Sequence, residues 1–376
     1  MSVLLINIFY SYIKHLSINN SNYFAINLRH RKIIKHDMYT PGILFTKNKL
    51  RILDQTLLPH RMSYIQLISI KQTCDAIRKL KVRGAPALGI VAAYSMFVAS
   101  NTTPTKKYSV FQKQMDDYAE QLIKTRPTAV NLRYAVERIK HIYHTNTDKT
   151  VLQLKRLIRS EAQKIHQEDQ RACHNIGKYG LKIVPNPCNI LTHCNTGSLA
   201  TGGWGTALGI VYAAVEKGYN VHVYVTETRP LGQGARLTYW ELVHNKIPCT
   251  LIIDNCVGLL MQKKKIDLVL FGADRIAKNG DVANKIGSYS IAALARIHKI
   301  PCYAVAPSST FDLEIETGND IPIEERAGKE ILQFYNYNNN LFRFYKLYNP
   351  AFDITPARFL SGIISDKGIL KKPYIN

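Results

Sequence analysis

The chain lacks several features that mark whole classes of protein. Its seven cysteines are scattered, odd in number and never spaced as CxxC, which argues against a disulfide framework and against the paired thiols of zinc or redox sites. No segment approaches the roughly 20 apolar residues that cross a bilayer, and even the run LGIVAAYSMFVA is too short. These absences predict a protein with reduced thiols that works in the cytoplasm, away from membranes.

Acidic residues are also scarce. Asp and Glu total 27 against 50 Lys and Arg, which gives a formal net charge of +23. Such an excess suits an anionic partner, either a phosphorylated small molecule or a nucleic acid. Lysine-rich surfaces that bind nothing produce the same excess, so the charge alone does not choose between these interpretations.

The first 37 residues show no dependable helical or strand period. They begin with a short apolar stretch and end in a basic cluster, the reverse of the order in a secretory signal. Met38 opens a segment of ordinary globular character. Two interpretations of residues 1–37 stay open: a disordered extension, or upstream sequence included through a wrong choice of start codon.

The rest of the chain changes its hydrophobic period near the middle. Strand signals in GILFTKNKLRILDQTLLP precede long segments, from residue 63 to residue 184, with apolar residues three and four positions apart. Beyond them the runs CNILTH, VHVYVT, CTLIID, IDLVLF and PCYAVA alternate with helical patterns, which predicts a parallel sheet with helices on both faces. We therefore predict an α/β fold, with a mainly helical domain with short strands at 38–178 followed by a sheet domain at 179–376.

Chemically active residues follow these predicted strands. The strand ends read HCNTG, TETRP, DNC, GADRI and APS, and parallel sheets bind ligands at the carboxyl ends of their strands. Cys194 follows the first run and Asp274 follows the fourth. Burial behind an apolar strand would raise the pKa of Asp274 and favour it as a proton donor, whereas a helix cap or a salt bridge to Arg275 is the structural alternative.

Three further segments are candidates for anion binding. The glycines of NTGSLATGGWGTALG permit close backbone approach to a ligand, although tight packing would also explain them. In KVRGAPALGIV the proline suits the first helical position, so Gly84 and Ala85 would present free N–H groups beside Arg83; a capped helix with a solvated arginine is the alternative. Asn284 and Lys285 are predicted to open a helix after the turn KNGD, where a cation and helical N–H groups together suit a phosphate.

Seven motifs, found in order from about residue 39 to the C-terminus, resemble those of a known family. They are RGAPALGI, RPTAVNL, THCNTGSLATGGWGTALG, TETRPLGQGARLTYWEL, GADRIAKNGDVANKIGSYSIAALA, PIEERAGKEI and NPAFDITPARFL. The chain resembles the methylthioribose-1-phosphate isomerases, the aldose–ketose isomerases of methionine salvage. The resemblance implies a helical N-terminal domain, a Rossmann-like C-terminal domain and a homodimer, with no metal and no organic cofactor. It also implies a reaction, the conversion of 5-methylthio-α-D-ribose 1-phosphate to 5-methylthio-D-ribulose 1-phosphate.

The resemblance further implies roles for particular residues. Cys194 and Asp274 would form the catalytic pair. The implied substrate-binding residues are Arg83, Gly84, Ala85, Arg126, Gln233, Asn284 and Lys285. Asp274 would protonate the ring oxygen and later recover a proton. Cys194 would either carry a proton from C2 to C1 as a base or stabilise the transition state of a hydride shift.

Two rival functions share parts of this pattern. The same fold family includes regulatory subunits of the translation factor that exchanges guanine nucleotide on an initiation factor, but those relatives generally lack the combined Cys, Asp and Asn-Lys set. Nucleic acid is therefore not the expected partner. An isomerase of another sugar 1-phosphate, such as ribose 1,5-bisphosphate, would need a second cationic cluster where a methylthio group needs an apolar pocket.

The sequence also departs from the family pattern in places. Residues 1–37 have no counterpart, and CVGL follows the third predicted strand where small residues are usual. Residues 334–348, rich in Tyr and Asn, are predicted to form a loop particular to this lineage.

Overall fold

The computed structural model describes residues 39–126, 129–333 and 346–371. The extension 1–37 and residues 334–345 of the predicted loop lie outside these ranges, so both predictions stay untested. Within the described ranges, no helix is long and apolar enough to cross a membrane.

A three-stranded antiparallel sheet opens the described chain. It consists of β1 (Ile43–Thr46), β2 (Lys49–Leu53) and β3 (Tyr64–Leu67). Lys47 and Asn48 form the turn between β1 and β2 with φ angles of 50° and 63°, the left-handed conformation that tight hairpin turns favour.

The strand β3 corrects part of the sequence prediction. The period of residues 63–80 predicts a helix throughout, but the structure places β3 before the helix. Ile65 and Leu67 are the apolar positions of this short segment, and two apolar residues separated by one other fit a strand as well as a helix.

Helices dominate the next hundred residues, as predicted. They are α1 (Ile70–Arg78), α2 (Ala85–Thr102), α3 (Tyr108–Ile123), α4 (Val130–Thr145) and α5 (Val151–Gly180). The sequence of α2 is apolar on all sides, so this helix is buried along most of its length and lies at the centre of the first hydrophobic core. Its N-cap Gly84 and its first residue, Ala85, line the site described below.

A mainly parallel sheet forms the second half of the chain. In the described residues it has the strand order β14–β13–β10–β7–β4–β5–β6, and only β14 runs antiparallel to its neighbour. Its strands are β4 (Cys188–His193), β5 (Val221–Thr226), β6 (Cys249–Ile252), β7 (Leu268–Phe271), β10 (Cys302–Val305), β13 (Gly362–Ser365) and β14 (Gly368–Leu370). The chain moves outward from β4 to β6 on one side and from β7 to β13 on the other, so the order of the strands reverses between β4 and β7. Such a reversal is where doubly wound sheets bind ligands.

A smaller sheet adjoins the carboxyl ends of these strands. It has the order β11–β8–β9–β12 and consists of β8 (Arg275–Ala277), β9 (Val282–Lys285), β11 (Phe311–Asp312) and β12 (Phe352–Thr355). The helices of this half are α6 (Ala207–Glu216), α7 (Tyr239–His244), α8 (Val257–Gln262), α9 (Ser288–Ile297) and α10 (Lys329–Leu332). The predicted α/β class, with a small sheet and helices before a mainly parallel sheet, is confirmed.

The helix α5 connects the two halves. It passes without a break through the predicted boundary between residues 178 and 179. Ile165 of α5 belongs to the first hydrophobic core, and Ile176 belongs to the core that packs on the large sheet. The division into domains at 38–178 and 179–376 stays a prediction.

Candidate active site

A pocket opens where the strand order reverses, at the carboxyl ends of β4 and β7. It contains about 840 Å³ of atom-free space, part of it open to solvent. Cys194 follows β4 directly, Asp274 follows β7 after two intervening residues, and both line the pocket. Because neighbouring strands lie about 4.8 Å apart, Cys194 and Asp274 lie together at the floor of the pocket although they are distant in sequence.

The structure brings all nine predicted site residues together. Eight of them line the pocket: Arg83, Gly84, Ala85, Arg126, Cys194, Gln233, Asp274 and Lys285. Asn284 lines an adjoining recess whose walls also include Cys194 and Asp274.

Cys194 sits in an unusual backbone conformation. Its φ is 63°, in the left-handed region that residues with a Cβ seldom adopt, and only 6% of its surface is exposed. Nη2 of Arg83 lies 3.8 Å from its Sγ and 3.3 Å from the carbonyl oxygen of Asn195. The thiol is therefore held beside a guanidinium group at the floor of the pocket.

Asp274 is partly buried and lies among cations. Its N–H donates to the carbonyl oxygen of Ala283 at 2.9 Å, which ties it to β9. Burial raises the pKa of Asp274, and the opposing effect of nearby cations, of which Lys285 is the strongest, is smaller. β8 begins at the next residue, so Asp274 does not cap a helix, and Arg275 forms an ion pair with Asp312 at 3.5 Å.

Asn284 and Lys285 lie in a strand, which corrects the prediction that they open a helix. They are the last two residues of β9, and α9 begins only at Ser288. Nζ of Lys285 donates to the carbonyl oxygen of Ala351 at 2.8 Å and lies 4.9 Å from the centre of the Phe352 ring. Burial lowers the pKa of Lys285, while the neighbouring Cys194 and Asp274 act in the opposite direction.

Because Lys285 lies at the end of a strand, free helical N–H groups do not accompany its charge. The cation instead reaches the pocket from a buried strand, next to the Asp274 carboxyl group, and a substrate phosphate would meet a desolvated ammonium group.

The Arg-Gly-Ala triplet forms the start of α2 as predicted, shifted by one residue. Gly84 is the N-cap with φ of 95°, Ala85 is the first helical residue and Pro86 the second. A Cβ on Gly84 would lie 2.6 Å from the backbone of Ala200, so the glycine permits the helix end to approach the loop after Cys194.

Three of these site residues carry buried polar atoms that have no hydrogen-bond partner among the described residues. They are Nη1 of Arg83, Nε of Arg126 and Oε1 of Gln233. Buried polar groups in folded proteins are nearly always paired, and a ligand is one partner that would complete the set. Arg126 is also oriented by Oε2 of Glu324, which accepts from its Nη2 at 2.9 Å.

Arg326 is a pocket residue that the sequence argument missed. Its Nη1 donates to the other oxygen of Glu324 at 2.9 Å, so one carboxylate holds both Arg126 and Arg326. The signal was available in PIEERAGKEI, a motif that supports the resemblance but to which no role is assigned. The pocket is also lined by apolar side chains, those of Leu80, Leu88, Leu231, Ile321, Pro322 and Phe352.

This arrangement suits a specific kind of chemistry. The cations Arg83, Arg126 and Lys285 would hold an anionic group, and the helix end at Ala85 adds N–H groups. A carboxyl group with a raised pKa donates and recovers protons, and a thiol lines the same pocket. The pocket is therefore equipped to bind a phosphorylated substrate and to move protons on it.

Comparisons with known proteins agree with this chemistry. A family model described as the initiation factor 2 subunit family matches residues 81–372. A methylthioribose-1-phosphate isomerase of Desulforamulus reducens is 46% identical over 333 residues, which cover 89% of this chain and 96% of that protein. A crystal structure of 5-methylthioribose 1-phosphate isomerase from Pyrococcus horikoshii OT3 has a TM-score of 0.83 at 40% identity, covering 89% of this chain and 94% of that one. The chain belongs to the methylthioribose-1-phosphate isomerase family.

The wider family also includes structures with a different kind of name. One, from A. fulgidus, is named as subunit delta of the translation initiation factor eIF-2B; its TM-score is 0.79 at 40% identity, and it covers 89% of this chain and 96% of that one. Names therefore do not separate an isomerase from a translation factor at this level of similarity. The residues of the pocket bear on the choice, because Cys194, Asp274 and the Asn284–Lys285 pair occur here together.

Proposed function

We propose that this chain, as a member of the isomerase family, converts 5-methylthio-α-D-ribose 1-phosphate to 5-methylthio-D-ribulose 1-phosphate in methionine salvage. The observation that carries the proposal is the placement of Cys194 and Asp274 at the ends of adjacent strands, on the floor of one pocket lined by cations. A non-enzymatic subunit has no need for an acid with a raised pKa beside a thiol and a buried lysine.

The cations would hold the phosphate. Arg83 and Arg126 each carry a buried nitrogen without a hydrogen-bond partner in the described part of the chain, and Lys285 reaches the same pocket from β9. The N–H groups at Gly84 and Ala85 would add donors at a helix N-terminus. Fixing the phosphate there would place the sugar ring over the pocket floor.

Asp274 would open the ring. A sugar with phosphate on its anomeric oxygen does not open spontaneously to an aldehyde, so the ring oxygen must receive a proton as its bond to C1 breaks. Burial raises the pKa of Asp274, which favours the protonated form that can give this proton. The resulting carboxylate then accepts the proton that the C2 hydroxyl loses when it becomes the ketone carbonyl, so Asp274 ends protonated again.

Hydrogen must also pass from C2 to C1, and two routes account for all atoms and electrons. In one, Cys194 as thiolate takes the C2 proton and returns it to C1; in the other, a hydride moves directly and Cys194 stabilises the charge around it. Turnover in deuterium oxide separates them. Deuterium at C1 of the product supports the first route, because it enters only if the proton held on sulfur exchanges with solvent before it returns. A direct hydride shift requires that C1 gain no deuterium.

The apolar part of the pocket lining favours the methylthio substrate over a bisphosphate. Leu231, Ile321 and Phe352 would pack against a thioether without unpaired charge, whereas a second phosphate would need further cations. The other two arginines of the lining, Arg275 and Arg326, are already paired with carboxylates. The test is to incubate the purified protein with methylthioribose 1-phosphate and with ribose 1,5-bisphosphate and to follow ketose formation. Faster turnover of the bisphosphate would contradict the proposed substrate. No turnover of either compound would contradict the proposed isomerase activity.

A homodimer in the cytoplasm completes the proposal. The edge strand β6 and its neighbouring segments expose the large apolar side chains of Val243, Leu251, Ile253 and Leu259, which supports burial by a second copy. All seven cysteines are unpaired thiols, which supports a reducing compartment. Sedimentation equilibrium tests the dimer, since a monomer at micromolar concentration would contradict it.

A further inference from the structure

Threonine hydroxyls bind both backbone groups of Cys194. Its N–H donates to Oγ1 of Thr228 at 3.0 Å, and its carbonyl oxygen accepts from Oγ1 of Thr238 at 2.5 Å. Both threonines have no exposed surface, and neither is among the described residues that line the pocket. They meet the peptide of Cys194 at the position where its φ of 63° is unfavourable for a residue with a side chain.

The hydrogen bond from the Cys194 N–H to Thr228 is the first of a series that continues through Thr226 to His193, in which the ring of His193 sets the direction of donation. Nε2 of His193 donates to the carbonyl oxygen of Ile286 at 2.9 Å, which leaves Nδ1 to accept from Thr226 at 2.7 Å. Burial lowers the pKa of His193, in agreement with a neutral ring. Thr226 and Thr228 lie 3.1 Å apart, so the Thr228 hydroxyl can donate onward while its oxygen accepts from Cys194.

The backbone of Thr228 is itself fixed. Its φ is also 63°, and its N–H donates to Oδ1 of Asp254 at 2.8 Å. The other oxygen of this carboxylate accepts from the N–H of Arg229 at 2.7 Å. Asp254 thus holds the turn that presents the Thr228 hydroxyl to Cys194.

The carbonyl-side contact is fixed by a separate element. Thr238 ends a single π-helical turn, Gly234–Thr238, directly after Gln233. Oγ1 of Thr238 accepts from Nδ2 of Asn195 at 3.3 Å, so its own proton is directed to the carbonyl of Cys194. Single π turns are rare and concentrate at functional sites. This one connects the pocket residue Gln233 to Thr238, which holds the carbonyl group of Cys194.

We infer that Thr228 and Thr238 are positioning residues that hold the peptide of Cys194 in its left-handed conformation and so keep the thiol beside Arg83 on the pocket floor. Neither would touch the substrate. Their effect on turnover rests on the proposed function, whereas their effect on the position of the thiol does not.

The test replaces hydroxyls by methyl groups of the same shape. Thr238→Val removes the donor and keeps the volume, Thr238→Ser restores the donor, and Thr73→Val is the matched control. Thr73 is equally buried and bonds Ser95 at 2.8 Å between α1 and α2, outside the pocket. We expect Thr238→Val to lower kcat about 10- to 100-fold with KM within about threefold, since a small misplacement of a reacting group has that effect. Thr238→Ser should recover most of the activity, and Thr73→Val should lose stability but keep kcat within about twofold.

A second measurement does not depend on the substrate. Alkylation of Cys194 by iodoacetamide is followed by mass spectrometry, with the partly exposed thiol of Cys256 as the internal reference. Thr238→Val should change the rate at Cys194 by at least about threefold relative to Cys256, because the sulfur leaves its fixed place. Thr238→Ser and Thr73→Val should leave the ratio unchanged. An inactive wild-type protein would refute the proposed function, and the alkylation ratio would still decide on the positioning role.

Several outcomes would overturn the inference. It is refuted if Thr238→Val keeps normal kcat and a normal alkylation ratio, if Thr73→Val loses as much kcat, or if Thr238→Ser fails like the valine variant. Thr228→Val tests the amino side when Thr238→Val does not fold. If neither valine variant folds while Thr73→Val does, the hydroxyls serve the whole fold and not the position of one residue, and the inference is wrong.

Discussion

The N-cap of α2 gives a sharp test of how closely the site is packed. Gly84 combines φ of 95° with a backbone neighbour: a Cβ there would lie 2.6 Å from the Cα, Cβ and oxygen of Ala200. An L-residue in a left-handed conformation costs about 1–2 kcal/mol. Forcing two backbone segments apart in a packed region costs about 1–3 kcal/mol more. Gly84→Ala should therefore lower the free energy of unfolding by about 2–5 kcal/mol.

Gly218→Ala separates the two contributions. Gly218 has φ of 82°, and a Cβ there would meet nothing within 4 Å, so only the conformational cost of about 1–2 kcal/mol applies. Urea unfolding followed by circular dichroism measures both variants. Gly84→Ala should also lower kcat/KM at least about tenfold, because the N–H groups of the helix end move away from the phosphate, while Gly218→Ala should keep full activity. Equal losses of unfolding free energy, or full activity of Gly84→Ala, would refute the reasoning.

Three further predictions concern titratable groups. Cys194→Ser and Asp274→Asn should each lower kcat by about 10³-fold or more in initial-rate assays while the far-ultraviolet dichroism stays that of the wild type; near-normal turnover would remove that residue from the mechanism. Lys285→Ala should weaken binding of the sugar phosphate about 10- to 100-fold by calorimetry, as expected for a lost charged hydrogen bond, and an unchanged affinity would exclude the phosphate contact. Burial raises the pKa of Asp169 from its ordinary value of 3.8 to about 6. The folded state therefore keeps this proton longer than the unfolded chain, so the free energy of unfolding should fall as pH rises through that window. Asp169→Asn should lack the fall, which gives a relative gain of about 3 kcal/mol between pH of about 4 and about 7 in urea titrations, and a pH-independent difference would contradict it.

Local sequence signals were enough to find the large sheet and its chemistry. The runs CNILTH and VHVYVT coincide with β4 and β5, because buried parallel strands are short, apolar and bounded by turns. Cys194 and Asp274 could be placed at one edge for the same reason, since parallel strands deliver their ends to one side. Their catalytic roles stay predictions.

The smaller sheet could not be predicted in this way. β9 is buried at every position, so it has no strand period, and its partner β12 lies some seventy residues further along the chain. Asn284 and Lys285 were therefore predicted to open a helix. Arg326 was missed for a related reason: it reaches the pocket from a segment far from every predicted strand end, and only the fold brings it to Arg126.

The strand order also makes the geometry of the site independent of insertions and deletions in many of the loops. Cys194 and Asp274 are eighty residues apart in sequence, but their spacing is set by the direct pairing of β4 with β7. The connections at the opposite edge of the sheet, such as residues 217–220 before β5 and 263–267 before β7, lie away from the pocket. Insertions or deletions there would alter the outline of the molecule and leave the distance between thiol and carboxyl group unchanged. A lineage can therefore acquire new surfaces at that edge, for partners or for regulation, without rebuilding its reaction centre.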